Sequence, residues 1–173
     1  MSSSSGSATT AAEGASDVVA LATTRGLTIA TAESLTAGMV ASSLADVPGA
    51  SAVLLGGVVA YQVSVKQRLL RVDAELLAEA GAVDPRVAAA MAEGARTLFS
   101  ADIGVATTGV AGPEAHEGKA VGTVFTALST ESGTSTYAHE FRGDRPDIRN
   151  ATLDAVLGEL LGELSRGTKG QPG

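Results

Sequence analysis

The sequence predicts a three-layer α/β/α sandwich around a mixed, mostly parallel sheet of about five strands. Three observations lead there. Short apolar runs alternate with helical stretches in the first part of the chain, then follow one another with only turns between them. Hydrophobic residues make up 45% of the sequence but aromatics only 3%, so the core must be built from Ala, Val and Leu, which suits helices packed closely on a sheet. At 173 residues the chain fits one domain and leaves little room for a second.

The elements follow in order. Glu13–Thr24 reads as a helix with Val18, Val19, Leu21 and Ala22 on one side, stopped by Arg25-Gly26. Leu27–Ala32 reads as a strand and Thr36–Ala45 as a helix striped by Met39, Val40 and Leu44. Pro48-Gly49 is a turn, and the nearly continuous apolar run Ala52–Ala60 reads as a strand buried on both faces. Val65–Leu70 and Ala74–Ala80 are short helices, the second opened by Asp73 and closed by Gly81. Asp84-Pro85 starts the next helix, with Asp as N-cap and Pro at its first position, and the helix runs to Phe99. Ile103–Thr107, Gly122–Leu128 and Thr134–Phe141 are three further strands, and Pro146–Ser165 is a last amphipathic helix. Residues 13–166 form the folded unit, between disordered tails at 1–12 and 167–173.

Composition also excludes. With no Cys, disulfides, thiolate metal sites and a cysteine nucleophile all fall away, and His116 and His139 lack ligand-like spacing, so no metal and no cofactor are expected. The net charge of −7 argues against direct nucleic-acid binding, which runs on Lys and Arg. No apolar run is long enough for a membrane span, and the Ser-rich start lacks the basic and apolar regions of a secretory signal, so a cytoplasmic location is expected.

Four segments do not look like ordinary connectors. In Thr31-Ala32-Glu33-Ser34-Leu35-Thr36, Ser34 or Thr36 caps the following helix, or Ser34 sits where N–H groups converge on an anion. Tyr61 and Lys66 are a sheet-edge Tyr and a surface Lys, or a base system that activates a serine when Lys is desolvated. Thr108-Gly109-Val110-Ala111-Gly112-Pro113, with Gly122 and Thr123 beyond, makes a tight turn or a backbone cradle for phosphate and ribose. Arg145, before the last helix, is a surface cation or a phosphate clamp.

The order and spacing of these segments resemble the CinA carboxy-terminal family. The resemblance is carried by Thr31-Ala32-Glu33-Ser34, Asp46-Val47-Pro48-Gly49-Ala50-Ser51, Tyr61 with Lys66, and Gly81-Ala82-Val83. It continues through Thr108-Gly109-Val110-Ala111-Gly112-Pro113, Val121-Gly122-Thr123-Val124 and Gly143-Asp144-Arg145. It implies a metal-independent amidase of pyridine-nucleotide salvage that cleaves the carboxamide of nicotinamide mononucleotide. Carried over by position, Ser34 is the nucleophile and Tyr61 with Lys66 its base system. Glu33, Thr36, Thr108, Gly109, Ala111, Gly112, Pro113, Gly122, Thr123 and Arg145 line the substrate pocket. The partner is then a small nucleotide, and a homo-oligomer is expected because the family commonly assembles. The pyrophosphatase-like domain to which the family domain is fused in some bacteria is expected to be absent at this length.

The chain departs from the family pattern at several positions. Leu35 stands where the family often has Cys, Ala37 replaces the first of two glycines, and Gln62-Val63 replaces Ser-Asn. The 114–118 loop lacks the usual Gly-rich stretch and Ala120 replaces Pro. Two other roles stand beside the amidase: a nucleotide-binding module without turnover, and an accessory protein of DNA uptake or recombination.

Overall fold

The computed structural model describes residues 10–166. The tails expected at 1–12 and 167–173 lie outside that range, except for Thr10, which caps the first helix, and Ala11 and Ala12, which belong to it. That helix, α1 (Ala11–Arg25), begins earlier than expected because Thr10 and Glu13 form a reciprocal capping box. Gly26 ends it in the left-handed conformation.

β1 (Ile29–Glu33) leads through a turn to α2 (Met39–Ala45), followed by β2 (Leu54–Val59), α3 (Val63–Leu70), α4 (Ala74–Ala80) and α5 (Pro85–Phe99). β3 (Ile103–Gly109), β4 (Thr123–Thr130), β5 (Gly133–Glu140) and α6 (Arg145–Arg166) complete the chain. The Asp73 and Asp84 side chains cap α4 and α5 as expected.

The sheet order is β2-β1-β3-β4-β5. β1 pairs in parallel with β2 and β3, while β4 pairs antiparallel with β3 and β5, so β4 alone runs against the others. One face of the sheet presents Ile29, Val105 and Leu128 to α1, α2 and α6. The other presents Ala30, Ala32, Ala106 and Ala127 to α5 and its neighbours. That face is shallow enough for very close packing. A Cβ on Gly104 would collide with the Ala92 carbonyl of α5. This close approach is how a core almost without aromatics reaches full density.

Two expectations need correction. The run Ala52–Ala60 is not a strand buried on both faces. β2 is an edge strand whose residues alternate between half-buried and exposed, with Leu55 at 44% and Val59 at 50% exposure. Gly56 and Gly57 interrupt its apolar run for steric reasons: a Cβ on Gly57 would strike the Thr31 hydroxyl, and one on Gly56 the Phe99 ring. The second correction concerns Thr36–Ala45. Residues 34–38 form a turn, and the helix starts only at Met39.

Candidate active site

The carboxyl ends of β1, β2 and β3 meet at one cavity of about 590 Å3, the position where open α/β sheets usually bind ligands. It gathers Ser34 from the end of β1, Tyr61 and Lys66 from the β2–α3 passage, Thr108–Pro113 from the end of β3, and Arg145 from the start of α6.

Its centre is a Ser–Lys pair. Lys66 is only 1% exposed, and its Nζ donates to Ser34 Oγ at 3.1 Å, to the Ala60 carbonyl at 2.6 Å and to the Tyr61 carbonyl at 3.4 Å. Burial lowers the Lys66 pKa from 10.5 to about 8, against a weaker opposing pull from the Glu117 carboxylate. The amine is therefore held by two main-chain oxygens with its third contact on the serine hydroxyl.

The turn that carries Ser34 is built from below by Glu33. This carboxylate is 1% exposed and accepts from the Thr36 hydroxyl at 2.7 Å, from Gly38 and Val40 N–H at 3.0 Å each, and from Ala41 N–H at 2.9 Å. The start of α2 is thus capped by the protein's own anion, so the helix end expected to serve a substrate anion is occupied. The physical reason for the late helix start is the same: residues 34–38 wrap around this carboxylate, with Ala37 at φ 48° and Gly38 at φ 100°. Thr107 fixes Ser34 from the side, its carbonyl accepting from Ser34 N–H at 3.0 Å. Arg149 on α6 holds the outer side, donating to the Leu35 and Thr36 carbonyls at 2.8 and 3.1 Å. The Leu35 N–H, next to Ser34, has no hydrogen-bond partner among the described residues, and Leu35 lines the cavity.

The remaining residues singled out from the sequence divide into those that line the cavity and those that support it. Thr108, Gly109, Ala111, Gly112 and Pro113 line it, although the Thr108 hydroxyl already donates to the Ala82 carbonyl at 2.7 Å. Glu33 and Thr36 lie beneath the turn. Gly122 and Thr123 lie behind the loop, exchanging main-chain hydrogen bonds with Val110. Gly122 is confined by the Phe141 carbonyl, which a Cβ would strike. The Tyr61 hydroxyl accepts from Arg145 at 2.6 Å, while Arg145 also donates to the Gly112 carbonyl at 2.9 Å.

Several lining residues were not assigned to the pocket from the sequence: Val83, Glu114, His116 and Glu117. His116, expected to be an ordinary loop residue, lies in the cavity wall with its Nε2 3.7 Å from Glu117 Oε1. Glu117 reaches the wall because its Oε2 accepts from Ala82 N–H at 2.8 Å, a contact between distant segments that no local spacing announces. His139 is engaged elsewhere, in a cluster with Thr126 and Glu159 that ties β4 and β5 to α6. Among the described residues, no group of three or more His, Cys, Asp or Glu could hold a metal ion, and no helix is long and apolar enough to cross a membrane.

Comparison with known proteins places this arrangement. Residues 11–164 match the family model described as the CinA C-terminal domain. A CinA-like protein of Anaeromyxobacter dehalogenans is 53% identical over 144 residues, covering 83% of this chain and 35% of the relative. A CinA-like protein of Frankia casuarinae is 48% identical over 149 residues, covering 84% of this chain and 34% of the relative. The chain thus spans about a third of the length of these curated relatives. Among solved structures, a competence/damage inducible protein from Agrobacterium tumefaciens superposes with a TM-score of 0.85 at 35% identity, covering 90% of this chain and 95% of that one. The chain belongs to the CinA C-terminal domain family.

Proposed function

We propose that this chain hydrolyses the carboxamide of nicotinamide mononucleotide to nicotinic acid mononucleotide and ammonia, through an acyl-enzyme on Ser34. The observation that carries the reading is the buried Lys66 amine 3.1 Å from Ser34 Oγ. A serine hydroxyl needs a base to become a nucleophile, and a lysine held at a pKa of about 8 is neutral in a usable fraction of molecules near neutral pH.

In this mechanism neutral Lys66 accepts the Ser34 proton as Oγ bonds to the carboxamide carbon. The Leu35 N–H supports the oxygen that becomes negative. Protonated Lys66 then delivers its proton to the departing nitrogen, the C–N bond breaks and ammonia leaves. Water attacks the resulting ester, giving a proton to Lys66; as the acyl C–O bond breaks Lys66 passes that proton to Ser34 Oγ, and the acid product loses its remaining proton to solvent and leaves as the carboxylate. Arg145, carried by the Tyr61 hydroxyl and the Gly112 carbonyl, takes the nucleotide phosphate at the cavity mouth, and the 108–113 loop takes the ribose. We assign the activity to the cytoplasm and expect a homo-oligomer, which light scattering checks.

The test is ammonia release from nicotinamide mononucleotide by purified protein. Release that stops with Ser34→Ala supports the reading. No release at any pH between neutral and mildly alkaline sinks it.

A further inference from the structure

Lys66, Glu114, Glu117 and Arg145 are charged side chains that line the cavity, with Lys66 buried at its centre beside Ser34. Arg145 supplies the cation at the mouth. Glu117 supplies a carboxylate on the wall formed by Ala82, and that wall is itself tied to the Thr108 hydroxyl. The seat of Glu117 is built rather than incidental. Its backbone adopts φ 47°, unusual for a residue other than Gly, and a Cβ on Gly81 would collide with its Oε2. One carboxylate oxygen holds Ala82 N–H. The other has His116 at 3.7 Å, beyond hydrogen-bond distance, and the side chain is 38% exposed to the cavity and solvent.

We propose that Glu117 is a specificity-determining residue that favours a positively charged ring, a pyridinium carboxamide, over a neutral ring carboxamide of similar size. This rests on the reading of the cavity as an amidase site. A carboxamide presented to Ser34 leaves its ring, bonded directly to the reacting carbon, inside the same cavity. A cationic ring nitrogen there meets the carboxylate, whereas a neutral ring gains no such contact. The phosphate of the same ligand, being of opposite sign, is drawn to Arg145. The acid on one wall and the base at the mouth thus match a ligand that carries its own charges at two ends. That Glu117 also acts on Lys66, opposing the effect of burial, is consistent with a field that reaches the reacting pair.

The test uses two ligands that differ in ring charge: nicotinamide mononucleotide, with a pyridinium ring, and its reduced dihydropyridine form, with a neutral one. Dissociation constants for both are measured by calorimetry on the full chain carrying Ser34→Ala, with and without Glu117→Gln. The amide of Gln keeps an acceptor for Ala82 N–H, so the wall is preserved. Glu117→Gln should weaken the oxidised ligand roughly fivefold, the size of one partly exposed charge contact, and leave the reduced ligand unchanged. Equal weakening of both would show a mere strut, and no change in either, or no binding of the oxidised ligand, would equally overturn the proposal. Turnover by the unmodified chain is read separately. Ammonia release with an unmoved ligand ratio leaves the amidase standing and removes only the role of Glu117. A moved ratio without ammonia release keeps the charge selectivity and removes the amidase.

Discussion

The pH dependence of turnover follows directly from the burial of Lys66. Its pKa is lowered to about 8, so the neutral, proton-accepting form is about a tenth of the molecules at pH 7 and roughly a hundredth at pH 6. The ratio kcat/KM should therefore rise about tenfold per pH unit below 8 and flatten above it. The same shift has a stability consequence of defined sign. The unfolded chain binds the proton more tightly, so burying the charged amine destabilises the fold below about pH 8, and stability rises as pH climbs from about 8 towards the ordinary 10.5. The full difference is of order 3 kcal/mol. The assay is ammonia release at saturating and limiting substrate from pH 6 to 9.5, with Lys66→Arg as the partner experiment, since a guanidinium does not deprotonate in that range. A flat profile, or substantial activity in Lys66→Arg, would refute the assignment of Lys66 as base.

Three further outcomes are expected. Lys66→Met should abolish turnover without lowering the melting temperature, because relief of the buried amine offsets the orphaned Ala60 carbonyl, which costs about 1–3 kcal/mol; calorimetry checks the sign. Glu33→Gln should destabilise by about 3 kcal/mol, lowering the melting temperature by roughly 10 °C, since an amide presents hydrogens to N–H groups that now meet a carboxylate. Ala37→Gly should raise stability by about 1 kcal/mol, read in urea unfolding, because Ala37 sits at φ 48° where only Gly is unstrained.

Much of this fold was legible in the sequence because its signals are local. Asp73, Asp84-Pro85 and Gly26 are caps whose effect lies within one turn of the residue, and they mark the helix ends in the structure. The capping box of Thr10 and Glu13 was equally local, and its Thr-x-x-Glu spacing was there to be found. What stayed hidden depends on contacts between distant segments. An edge strand and a central strand can share one apolar composition, and only pairing tells that β2 lies at the edge. Periodicity carried the second helix back to Thr36, but a buried carboxylate three residues earlier had reorganised those residues into a turn. Glu33 is a pocket residue by the resemblance, but in the structure its carboxylate holds the turn beneath Ser34, as alternation along a strand end dictates. The Ser34–Lys66 pairing, implied by resemblance, stands in the structure as a 3.1 Å contact. Glu117 and Arg149 had no local signal at all, since each acts through a main-chain group far along the chain.

The central claim is that Ser34 attacks the carboxamide itself. Single-turnover deamidation of nicotinamide mononucleotide by folded Ser34→Ala protein, in enzyme excess at pH 8, tests it most directly. The expected result is a rate reduced by several orders of magnitude with substrate still bound. A near-unchanged rate would contradict it and make Ser34 a structural neighbour of a directly attacking water.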